Sequence, residues 1–165
     1  MIAALLIPVV GAALIALTGR QPNLRETVTL VTAVLLFAAV VQIVPDVADG
    51  GRPEVMALSV APGLDLAFQA EPLGMLFALI ASFLWIVNSI YSIGYMRGNN
   101  EPRQTQFYIA FAVALAATMG IALSANLFTL FIFYEVLTLS TYPLVAHHAD
   151  AKARNGARTY LMILL

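Results

Sequence analysis

The chain is 165 residues long, 61% hydrophobic and only 10% charged. Soluble domains carry about 25% charge, so this composition marks an integral membrane protein. A formal net charge of −1 without a basic, aromatic-interleaved patch argues against nucleic acid as a partner, and the lack of cysteine excludes disulfides, thiolate catalysis and cysteine-ligated metals.

The first apolar run, Met1 to Thr18, has no charged n-region and is followed by further spans. It reads as a membrane helix and not as a signal peptide. Pro8 and Gly11 lie inside it, which membrane helices tolerate. The polar stretch from Gly19 to Glu26, with Arg20 and Arg25, reads as a short loop. A second span is expected over 27–44. The longest polar connection, residues 45–71, holds two alternating segments, Met56–Val60 and Leu64–Phe68, around Ala61-Pro62-Gly63. That pattern predicts a short β-hairpin lying on the membrane surface.

Pro72 opens the third span, expected over 72–93. Proline suits a first helical position, where its missing N–H has no intrahelical partner to lose. Trp85 reads as packing, and Asn88 and Ser89 add weak polarity. After the loop with Arg97 and Arg103 comes a fourth span over 107–123. There Ala112, Ala116 and Gly120 recur every four residues, a face that ordinary close helix packing explains. A fifth span is expected over 126–146. A sixth starts near residue 157 and has fewer than ten residues, against the roughly 20 that cross a bilayer. The expectation is one all-α membrane domain over 1–165, the N-terminal part of a longer membrane protein.

The basic residues give an orientation. Seven of the eight Lys and Arg residues follow the first, third and fifth spans, and only Arg52 follows an even-numbered one. By the positive-inside rule the N-terminus is then outside, the 2–3 connection faces outward, and the chain is multi-pass in the cell (inner) membrane.

The fifth span carries the anomaly. Glu135 sits nine residues past Asn126 in an otherwise apolar stretch. At about 1.5 Å per residue that is about 13 Å into a hydrocarbon core about 30 Å thick. A carboxylate at such depth costs about 2.5 to 3.5 kcal/mol, and residues of this kind serve ion or proton paths. Helical spacing sets Thr138 and Tyr142 on the same face, where hydroxyls can order a proton path. Pro143 cannot donate to the carbonyl of Leu139, which leaves a polar, kinkable stretch just beyond. A carboxylate whose neighbouring cation moves closer or away is a proton switch. All the Lys and Arg residues lie in stretches that read as loops, so a cationic partner would come from beyond Leu165 or from another polypeptide of an assembly. The bland alternative is a protonated Glu135 gluing two helices.

His147 and His148 follow the fifth span. They read either as an interfacial cap, favoured by the helix macrodipole, or as a proton relay, since histidine titrates near neutral pH. Adjacent histidines diverge on a helix and have no carboxylate cluster beside them, so no metal site is expected.

The stretch Phe131-Ile-Phe-Tyr-Glu135-Val-Leu-Thr-Leu-Ser-Thr-Tyr142-Pro-Leu-Val, followed by Ala153-Arg-Asn-Gly-Ala-Arg-Thr-Tyr160-Leu, resembles a known family. These are the antiporter-like proton-conducting membrane subunits of Mrp-type multisubunit Na+/H+ antiporters, complex I and membrane-bound hydrogenases. Ala70-Glu71-Pro72-Leu-Gly-Met-Leu-Phe77 resembles the family's entry to the third helix, with Glu71 where Asp is frequent. Tyr91-Ser-Ile-Gly94-Tyr95-Met96 resembles the motif at that helix's end. Within the family, the fifth-span motif most resembles the D-type member of the Mrp antiporters. The resemblance covers most of the chain from about residue 64. It implies a fold of about fourteen helices with two inverted five-helix repeats, each with one broken helix. It also implies a proton path in which the fifth-helix glutamate, matched by Glu135, pairs with a lysine in the broken seventh helix. The partners it implies are protons, sodium in the Mrp case, and the other membrane subunits of the assembly. No cofactor is expected within the chain. Three functions stay open at this point: an antiporter subunit, a redox-coupled subunit of an NADH:quinone oxidoreductase or hydrogenase, and a non-transporting scaffold or assembly protein. A membrane-embedded hydrolase is disfavoured, because no second charge is expected within a span.

Overall fold

The computed structural model describes residues 1–146 and 151–164, without the side chains of 151–154. In chain order it contains α1 (Ile2–Leu17), α2 (Pro22–Val41), α3 (Val44–Ala48), β1 (Glu54–Ala61), β2 (Leu64–Gln69), α4 (Pro72–Gly98), α5 (Gln104–Ala122), α6 (Leu127–Val145) and α7 (Ala151–Leu164). The architecture is that of an all-α membrane protein with one small antiparallel hairpin. The long apolar helices α2 (continued by α3), α4, α5 and α6 have the length and composition to cross a bilayer. The apolar α1, at 16 residues, is shorter; it spans about 24 Å at 1.5 Å per residue.

α5 is the hub. It packs against α1 on one side and α6 on the other, while α2 packs against both α1 and α4. Small residues permit the close approaches. Gly120 on α5 lies under the ring of Phe133 on α6, and Gly74 on α4 lies against the carbonyl of Ala122 at the end of α5. A side chain at either glycine would collide. Ala112 and Ala116 share the buried face of α5 that Gly120 continues. Buried hydroxyls bond back to their own helix: Thr29 donates to the Arg25 carbonyl, Thr32 to Val28 and Ser82 to Ala78. No polar hydrogen is thereby spent on lipid.

The hairpin forms as its alternation predicts, with Glu54 opposite Gln69 and Ala61 opposite Leu64. Pro62 and Gly63 make the tip, and Gly63 supplies the positive φ of 82° that proline followed by glycine accommodates. The hairpin is fastened to the α5–α6 turn. Gln69 N–H donates to the Leu123 carbonyl at 2.7 Å, and Ala125 N–H donates to Ala67 at 3.0 Å.

Two boundaries differ from the expected ones for one reason. α2 starts at Pro22, five residues before the expected 27, and α4 continues to Gly98, five past 93. Arg25, Glu26 and Arg97 therefore lie on helices and not in loops. They pair with one another, and paired charges need no loop to reach water. The short α3 occupies the start of the connection that reads as irregular, and α7 is helical from Ala151, upstream of 157.

Candidate functional site

α6 is built to hold its first half in place. Asn126 caps it by accepting from Thr129 N–H at 2.8 Å, and its side-chain amide donates to the Asp65 carbonyl at 2.8 Å. Thr129 is fully buried, and its hydroxyl oxygen accepts from Ala67 N–H at 3.0 Å. Phe133 meets Phe68 of the hairpin edge-to-face, with centroids 5.5 Å apart. Beyond Phe133 these ties stop.

Glu135 follows, partly buried near the middle of the 19-residue helix. Among the described residues no hydrogen bond or ion pair reaches its carboxylate. Thr138, one turn on, is buried, and Tyr142 is partly buried. The three occupy successive turns without a hydrogen bond joining them among the described residues. Next come two hydroxyls that bond within the helix, Ser140 to the Leu137 carbonyl and Thr141 to the Thr138 carbonyl. Thr141 also meets the Tyr160 hydroxyl of α7 at 3.0 Å. Pro143 lies inside the helix and deprives the Leu139 carbonyl of its usual donor. Tyr160 is thus a neighbour of this polar stretch that helical spacing alone could not supply. His147 and His148 lie outside the described residues.

A second charged site stands where the sequence reads as a loop. Glu26 is 5% exposed and is held by a fork from Arg97, with Nε at 3.0 Å from one carboxylate oxygen and Nη2 at 2.6 Å from the other. Arg25 is 4% exposed and reaches the same carboxylate only at 3.4 Å. Its other contacts are neutral: Gln104 at 2.8 Å, Thr105 at 3.1 Å and the face of the Tyr108 ring, with the guanidinium carbon 5.1 Å from the centroid. Gln104 in turn donates to the Met96 carbonyl, Thr105 to the Gly19 carbonyl, and Arg97 also donates to Asn23. The cluster ties the α1–α2 turn, α2, α4 and α5 at one end of the bundle. A local signal was present: Pro22 stands at the first turn of α2 as Pro72 does in α4.

No protein-family model matches the sequence. Curated relatives do. The chain is 29% identical over 102 residues to the A1 component of a Na(+)/H(+) antiporter of Staphylococcus aureus (strain bovine RF122 / ET3-1), a match covering 61% of this chain and 12% of the relative. It is 26% identical over 140 residues to the A/B component of a probable K(+)/H(+) antiporter of Rhizobium meliloti (strain 1021), covering 79% and 13%. The matches thus span only about an eighth of those relatives' length. Two solved structures share the fold. A chain of the membrane-bound sulfane sulfur reductase, an archaeal respiratory membrane complex, superposes with a TM-score of 0.79 at 17% identity, over 97% of this chain and 24% of that one. A chain of the Mrp complex from Dietzia sp. DQ12-45-1b superposes with 0.75 at 22% identity, over 98% and 31%. The chain is thus similar in sequence to components of Na(+)/H(+) and K(+)/H(+) antiporters, shares its fold with chains of an Mrp complex and of a respiratory membrane complex, and has four helices long and apolar enough to cross a membrane.

Proposed function

We propose that the chain is part of a proton-translocating subunit of a multisubunit cation/proton antiporter, with Glu135 as the proton carrier. The observation that carries this reading is a carboxylate near the middle of a membrane helix, partly buried, with no partner among the described residues. A carboxylate committed to structure would be satisfied by its surroundings. One left open can take a proton from one side and release it to the other. The cation that would drive that exchange belongs, by the family resemblance, to a lysine in a broken helix further along the polypeptide. Thr138, Tyr142 and Tyr160 supply hydroxyls on the inner side of Glu135 for a relay, with His147 and His148 as its expected continuation. The partners would be the other membrane subunits, and the N-terminus would be outside the cell membrane.

The test uses the full-length protein in its complex, in vesicles whose imposed pH gradient is followed by a fluorescent dye. Glu135→Gln and Glu135→Ala should abolish proton movement while assembly persists, and Glu135→Asp should retain part of it. Full transport by Glu135→Ala would refute the assignment and leave Glu135 as helix glue, the scaffold reading. The likeness to a respiratory complex favours one second reading, a redox-coupled pump subunit. In that case the Glu135-dependent proton movement would follow electron donor addition and ignore an imposed cation gradient.

A further inference from the structure

Glu26 has one strong partner and a second in waiting. Arg97 holds it through the Nε–Nη2 edge, at 3.0 and 2.6 Å, from a side chain 48% exposed at the end of α4. Arg25 offers the same edge less well. Its Nη2 lies 3.4 Å away, and its Nε is a buried donor without a hydrogen-bond partner. The reason is local: adjacent residues on a helix point in different directions, so Arg25 and Glu26 meet only by bending long side chains. While Arg97 holds the carboxylate, the Arg25 guanidinium rests on Gln104, Thr105 and the Tyr108 ring.

We propose that Arg97 and Glu26 form a releasable latch between α2 and α4, with Arg25 taking over the carboxylate when Arg97 leaves. Parting a buried ion pair is ordinarily costly because it strands a charge in a low-dielectric interior. Here neither buried group is stranded. Arg97 swings into water, and Glu26 closes onto the vacant Nε of Arg25. The departing partner is the exposed one, so the latch responds to salt, and the two groups that stay behind satisfy each other. A rigid clamp would have no use for a buried guanidinium with an unused donor beside a carboxylate.

These 165 residues contain no cysteine, so once any cysteine elsewhere in the full-length protein is replaced, spin labels can be placed on α2 and α4 through Leu24→Cys and Tyr95→Cys, both exposed positions. Distances between them are measured by pulsed electron resonance in the full-length protein in its membrane assembly. At about 0.01 M salt, where screening reaches about 30 Å, one short distance is expected. At about 1 M, where it shrinks to about 3 Å, a second, longer distance should gain several-fold in population. Arg97→Gln should show that longer distance at both salt concentrations. Arg25→Lys, which keeps the charge but has no fork, should cut the salt-driven population several-fold. One unchanged distance in the parent protein at both salts and in Arg97→Gln would overturn the proposal, as would unimpaired opening in Arg25→Lys. If Arg25→Lys does not fold, the parent and Arg97→Gln comparison decides alone.

Discussion

Glu26 and Glu135 are both carboxylates on membrane helices, and the protein treats them in opposite ways. Glu26 is almost fully buried and held by two arginines from two helices. Glu135 is only partly buried, and none of the described residues pairs with it. The helices that carry them differ in the same sense. α2 buries seven of its 20 residues, whereas α6 buries three of its 19. A carboxylate that serves structure is satisfied within the fold. One that serves exchange keeps unused bonding capacity and faces a surface that other polypeptide can complete. Burial within the fold alone would have ranked the two wrongly, since the less buried group is the one proposed to work.

The sharpest way to break this comparison is to neutralise each carboxylate in turn and read stability. Glu26→Gln leaves Arg25 buried without its anion, a change that costs about 3–5 kcal/mol where a buried pair loses one member. Thermal unfolding of the purified complex should fall accordingly, or the protein should fail to accumulate. Glu135→Gln removes a charge that none of the described residues compensates. Its stability should stay within about 1 kcal/mol of the parent, as at sites away from buried networks, even though transport is lost. Equal destabilisation by both variants would show that Glu135 has a structural partner and would weaken its assignment as a carrier.

This contrast also marks what could be read from the residues in order. Glu135 was legible because a lone charge in a long apolar run violates the cost of the bilayer, and that violation needs no tertiary knowledge. The hairpin was legible from alternation and the Pro62-Gly63 tip. The site at Glu26 was not. Arg25 and Glu26 follow a polar turn and resemble loop residues, and the arginine that turns them into an interior site lies 71 positions away. The family resemblance could not help there, because it begins near residue 64. Asn126 was legible as the start of a helix but not as a tie to Asp65, since a side-chain amide reaching another element's carbonyl leaves no periodic trace.

Thr129 sharpens the comparison from the other side, by asking what positions Glu135. Its hydroxyl oxygen accepts from Ala67 N–H in a fully buried contact between α6 and the hairpin. Thr129→Val keeps the shape and leaves that N–H unpaired, which costs about 1–3 kcal/mol. Thermal unfolding should show a loss smaller than that of Glu26→Gln. Hydrogen exchange should rise at Ala67 and along the first turns of α6. If exchange stays unchanged there, the first half of α6 is held by the Asn126 ties and the Phe68–Phe133 contact without help from Thr129.

The smallest effect is expected at a third carboxylate, Glu71, which separates pairing from burial. Arg52 meets it at 2.8 Å, closer than Arg25 comes to Glu26, yet the two side chains are 57% and 51% exposed. Water already solvates both groups, and holding two long side chains together costs entropy. Such pairs contribute about 0–1 kcal/mol and weaken with salt. Arg52→Ala should therefore leave the unfolding temperature nearly unchanged, and what difference there is should vanish at high ionic strength. A loss as large as that of Glu26→Gln would mean that the hairpin side is buried against another polypeptide in the assembly. Glu71 would then belong with Glu26 as a structural carboxylate, leaving Glu135, of these three, as the one without a partner among the described residues.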